Sequence, residues 1–89
     1  MQIAIPKTHL FWRHIDNKTV IVDWHKEGRF VELNSCASLI WRELAKARHL
    51  DSIVEVMLGE YSISKTQAYE DVKEMINSFR DQDLISDIE

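Results

Sequence analysis

Apolar residues recur every second position through the first third of the chain and every third or fourth position after it. That change of period predicts strands first and helices later. Ile3–Pro6 is short and ends in proline, as an arm or edge piece does. His9–Ile15 is rich in aromatic and branched residues and predicts a strand. Asp16–Lys18 predicts a tight turn with Asn17 left-handed. Thr19–Trp24 is β-branched and apolar, a second strand. His25–Gly28 turns again, with Gly28 free to take positive φ. Arg29–Leu33 is the third strand of an antiparallel meander.

Asn34 or Ser35 then caps a helix that carries Ala37, Ile40, Trp41 and Leu44 inward and runs to about Ala47. The capping-box pattern Ser52–Glu55 predicts a second helix starting near Asp51, with Ile53, Val56, Met57 and Tyr61 on its inner face. A second such pattern, Ser64–Gln67, opens a third helix over about 65–81, with Ala68, Val72, Met75, Ile76 and Phe79 inward. Leu84 and Ile85 fold back onto the core, and residues 86–89 are expected to fray. The predicted class is α+β and winged-helix-like: a three-stranded antiparallel sheet followed by three α-helices, in one domain spanning residues 1–89.

Size fits that reading, since 89 residues hold one modest core. The single cysteine, Cys36, excludes an internal disulfide and a thiol cluster for zinc. No apolar run reaches the roughly 20 residues of a spanning helix, and no secretory signal precedes the first strand. A cytoplasmic protein with no membrane partner is expected.

Charge changes the picture more. The net charge is −4, yet residues 1–50 carry eight Lys/Arg against five Asp/Glu, and residues 51–89 carry three against ten. A winged-helix DNA reader would need a basic third helix. This one carries Glu70, Asp71, Glu74 and Asp81. A DNA-binding regulator therefore ranks below a protein that reads something other than nucleic acid.

Catalytic patterns fare no better. Cys36 lies near a helix start, where a thiol can be acidified, but none of His9, His14, His25 or His49 sits in a nucleophile motif with it. No helical pair of histidines and no CxxC exists, so neither a metal nor a cofactor is expected. Glu70 and Glu74 form an i,i+4 pair of the kind that solvated helix faces carry. Trp41 belongs to the core stripe, while Trp12 and Trp24 are candidates to pair across the first two strands and cover the outer face of the meander.

The third strand carries the strongest functional signal. The last strand of a meander is an edge, and an edge offers free N–H and C=O groups to which a peptide can add as a further strand. Arg29, Val31 and Leu33 alternate with Phe30 and Glu32 across its two faces. The third helix could wall the groove with Tyr69, Val72, Lys73 and Ile76, while Arg29 and Lys73 meet a peptide carboxylate. The same edge could pair two copies as a homodimer.

The segment Gly28–Asn34 (GRFVELN), with Ala37, Ile40 and Trp41 after it, resembles the PqqD-like family. So does the later run of Tyr61, Ala68, Asp71, Val72, Ile76, Phe79, Leu84 and Ile85. The resemblance covers residues 8–86. It implies a recognition element for ribosomally made precursor peptides: a non-catalytic domain that binds the leader segment as an added strand. On this chain the implied site falls on Arg29 to Leu33 and on Tyr69, Val72, Lys73 and Ile76. The match looks most like stand-alone versions from lasso-peptide clusters, which hand the precursor to a separate leader protease and a cyclase. The branch that serves a radical enzyme in pyrroloquinoline-quinone synthesis is the alternative. One departure is Asp83, which stands where the family has a glycine and implies a less sharply turned helix end.

Overall fold

The computed structural model describes residues 3–88. In chain order it contains β1 (Ile3–Pro6), β2 (Leu10–Ile15), β3 (Lys18–Asp23), a 3-10 turn (Trp24–Lys26), β4 (Arg29–Leu33), α1 (Ser35–Ala45), α2 (Leu50–Glu60), α3 (Lys65–Asp81) and β5 (Ile85–Ile88). β2, β3 and β4 form a three-stranded antiparallel sheet in that order, and the three helices follow it as predicted. Residues 86–88 do not fray, and Glu89 lies outside the described residues. The former belong to β5, which pairs antiparallel with β1 from Ile3 opposite Ile88 to Pro6 opposite Ile85. Neither segment has the length or alternation to announce a strand, and each is stabilised by the other's hydrogen bonds.

Local chemistry explains most boundaries. Asn34 Oδ1 accepts from the Ala37 amide at 2.9 Å and starts α1. Ser64 Oγ accepts from the Gln67 amide at 3.1 Å and starts α3. The Ser52 capping box is not used. α2 begins at Leu50, with His49 at the cap position and no side-chain cap. That start lies within one residue of the expected one, and the helix buries Ile53, Val54 and Met57, leaving Val56 half-buried and Tyr61 exposed. Packing has overridden a local cap worth about 1 kcal/mol. In the first hairpin Asp16, not Asn17, takes the positive φ, at 56°.

The core is centred on Trp41, which is fully buried. Its ring meets Trp12 of β2 edge to face at 5.6 Å and Phe79 of α3 at 5.3 Å, tying sheet, α1 and α3 together. Ile21, Ile40, Leu44, Ile53, Val72 and Leu84 fill in around it. Trp12 therefore faces inward rather than pairing with Trp24, which lies outside the strand at 67% exposure.

α3 ends sharply despite lacking the glycine. Asp83 takes φ 62°, and the Leu84 amide donates to the Phe79 carbonyl at 2.9 Å. The Asp83 carboxylate pairs with Lys7 and, at 3.2 Å, with Lys26. The Arg80 guanidinium grips Asp87 with two bonds of 3.0 and 2.7 Å. These ion pairs fasten the β1–β5 ribbon to the helices.

Two stability predictions follow from these ends. Ala47 holds φ 56° just past α1 and is exposed, so Ala47→Gly should raise stability by about 1 kcal/mol in a denaturant titration. Hydrogen bonds from Lys7 and Lys26 hold the Asp83 carboxyl below its ordinary range, and those from Arg80 do the same for Asp87, in each case against desolvation. Their contribution is complete above the unfolded carboxylate pKa, near 4, and lost as pH falls through the lower folded values. The melting temperature should hold down to about pH 5 and then drop. Asn at both positions should flatten that drop.

Candidate functional site

β4 has a neighbour on one side only. β3 pairs with it from Thr19 opposite Leu33 to Asp23 opposite Arg29, and among the described residues no strand pairs with its other side. The direction of its main-chain groups follows from the first hairpin. A two-residue loop between Ile15 and Lys18 closes on a mutually hydrogen-bonded pair. Counting along β3 by twos, Lys18, Val20 and Val22 address β2, which leaves Thr19, Ile21 and Asp23 to address β4. Their partners Leu33, Val31 and Arg29 are therefore bonded to β3. The main-chain groups of Phe30 and Glu32 point sideways, away from the sheet.

Side chains alternate with the same period. Val31 is half-buried and Leu33 fully buried on the core face, whereas Phe30 and Glu32 stand on the solvent face. Phe30 is 65% exposed and continues a cross-strand row with Val22 and with Phe11, itself 66% exposed. A strand laid against β4 would extend this apolar row.

Both ends of β4 are pinned. At its start the Arg29 guanidinium donates to the buried carboxylate of Asp23 at 3.2 Å. Asp23 also accepts from the His25 amide at 3.1 Å, and His9 Nε2 lies 3.0 Å away. Desolvation alone would raise the Asp23 pKa, but the His25 amide, His9 and Arg29 outweigh it, so the carboxyl sits below its ordinary value. The His9 and His25 rings stack at 3.9 Å. Arg29 thus turns one guanidinium nitrogen inward to Asp23 while its side chain stays 28% exposed. At the strand's end Ser38 Oγ donates to the Leu33 carbonyl at 3.3 Å, just before the Asn34 cap.

Beyond Leu33, β4 leads into a cleft of about 440 Å³ between the start of α1 and α3. Asn34 and Cys36 form one wall and Asp71, Glu74, Met75 and Ser78 the other. The cleft is acidic with one apolar patch at Met75. Cys36 is half-buried; burial and the Asp71 charge push its thiol pKa up, with a contact to Tyr61 offsetting part of this. That is the opposite of what a nucleophilic thiol requires.

The other α3 residues named from sequence sit elsewhere. Val72 is fully buried in the core. Lys73 and Ile76 line a different pocket, on the α2 side of α3. Tyr69 lies in a shallow depression with Lys65, Thr66 and Glu70, and the Lys73 ammonium is 5.5 Å from its ring centroid. Asn34, the residue that follows β4, thus shares a cleft with Asp71, Glu74, Met75 and Ser78, whereas Tyr69, Lys73 and Ile76 line other depressions. The rotation of α3 about its axis separates the two sets, which flank the same buried stripe.

A family model described as coenzyme PQQ synthesis protein D (PqqD) matches residues 18–85. The chain belongs to the PqqD family. No curated protein sequence matches it. Two solved structures share the fold of this PqqD-family chain. One is described as TbiB1 in complex with the TbiA(beta) leader peptide. It has a TM-score of 0.85 and 21% identity over 92% of this chain and 94% of that one. The other is described as lasso peptide synthetase B1 complexed with the leader peptide, with a TM-score of 0.82 and 19% identity over 93% and 96% of the two chains.

The alternation in β4 makes a direct prediction. In the free protein the amides of Phe30 and Glu32 should exchange with deuterium far faster than those of Val31 and Leu33, as read by two-dimensional NMR. Equal protection of all four would contradict the register derived above.

Proposed function

We propose that the protein is a non-catalytic adaptor that captures the leader segment of a ribosomally synthesised precursor peptide as a fourth strand along β4. The observation that carries this reading is the unpaired edge of β4, leading straight into the cleft beside α3. Family membership supports it, as does the likeness in fold to two proteins solved with leader peptides. Phe30 and Glu32 each supply one N–H and one C=O, which give sequence-tolerant affinity. Selectivity comes from side chains. An apolar leader residue packs against Met75 and Val31, and a basic one faces Asp71 and Glu74. Leu33 and Val72 support this surface from beneath rather than touching the guest.

In this reading the adaptor raises the local concentration of precursor at a separate leader protease and cyclase. A lasso-type pathway is the branch favoured by the two structural neighbours. The description of the family favours a second reading, in which the same edge presents a precursor to a radical enzyme of quinone-cofactor synthesis. Titration with each type of precursor separates the two.

The test is to titrate isotopically labelled protein with the leader encoded by a neighbouring precursor gene. The Phe30 and Glu32 amides should shift most and become protected. Met75→Ala should weaken binding about tenfold, the equivalent of one partly buried side chain. Glu74→Lys should weaken a basic leader and spare a neutral one. Unchanged affinity in both folded variants, with no shift along β4, would remove the site.

A further inference from the structure

We propose that the pocket on the far side of α3 from β4 is a second docking site, one that takes a bulky apolar side chain flanked by carboxylates on an acidic segment of a partner protein. The pocket opens where the end of α1, the start of α2, α3 and the β1–β5 ribbon meet. Leu44, Ile53 and Ile76 give it an apolar floor. Three cations, Arg48, Lys73 and Arg80, line it as well.

The cations are not equally engaged. Arg80 is held by Asp87, the one carboxylate lining the pocket. Arg48 lies 4.0 Å from Glu43, the outer limit of an ion pair. Lys73 has no carboxylate partner among the described residues and is exposed. The pocket therefore carries net positive charge in a part of the chain that is otherwise acidic. Residues 51–89 contain three Lys/Arg in all, and two of them are here. On the opposite flank of α3 stand Asp71 and Glu74. A single helix thus shows opposite charge on its two sides, and a guest suited to one is repelled by the other.

The chemistry of the lining, an apolar floor under a cationic rim, suits a protein anchor. The cavity is about 290 Å³, at the small end of the range for ligand sites. It is large enough for one aromatic or aliphatic anchor of the kind that dominates protein interfaces. Apolar floor, cationic rim and side-chain scale together define a bulky residue with acidic neighbours. Because the pocket and the β4 edge lie on opposite flanks of α3, both can be filled at once. The inference stands whether or not β4 binds a leader.

The test uses two blocked tetrapeptides, acetyl-Glu-Leu-Phe-Glu-amide and acetyl-Lys-Leu-Phe-Lys-amide, added to methyl-labelled full-length protein. The acidic peptide should give saturable shifts at the Ile53 and Ile76 methyls while the amides of Phe30 and Glu32 stay in place. The lysine peptide should bind at least fivefold more weakly, and Lys73→Glu, at an exposed position that leaves the core intact, should abolish the preference. No saturable shift at either methyl, an equal response of the unaltered protein to both peptides, or shifts confined to β4 would each overturn the proposal.

Discussion

The free edge of β4 depends on β1 and β5 satisfying each other. β1 and β5 pair antiparallel with each other, so neither strand lies along the meander. Had either continued the sheet beside β4, the main-chain groups of Phe30 and Glu32 would have been consumed. An open strand edge is normally a hazard, since it invites aggregation. Here it is short, five residues long, and carries the charge of Glu32 on its solvent face. Both features limit promiscuous pairing.

Rigidity adds to that availability. A strand that must order itself on binding gives up part of the affinity it gains. β4 is ordered beforehand: Asp23 holds Arg29 at one end, and Ser38 with the Asn34 cap holds the other. The Asp23 carboxylate is fully buried, and it survives there because a guanidinium, an amide and an imidazole surround it. The buried charge spent on this corner fixes where the free edge points.

Much of this was legible in the chain itself, for reasons that are physical. The period-two run through β2 to β4 and the caps at Asn34 and Ser64 are local signals, and the structure keeps them. The third-helix stripe of Ala68, Val72 and Phe79 was equally plain. Which flank of that stripe turns toward β4 was not, because 3.6-residue periodicity places Lys73 and Ile76 on one flank and Asp71 and Glu74 on the other without saying which is which. Only the packing of α3 against α2 and the ribbon settles it. The ribbon itself was illegible, since two four-residue strands some eighty residues apart carry no local pattern. Asp83 misled for a different reason. The family position favours glycine, but an aspartate can take the left-handed conformation, and Lys7 and Lys26 help to hold it there.

Strand addition has one signature that groove binding by side chains alone does not share. Each main-chain amide of the guest points alternately toward β4 and away from it. Methylating leader amide nitrogens one at a time, and measuring the affinity of each peptide by calorimetry, tests this directly. Losses of tenfold or more should fall on every second position opposite Phe30 and Glu32, with little change between them. Losses that are uniform along the leader, or absent throughout, would contradict the account.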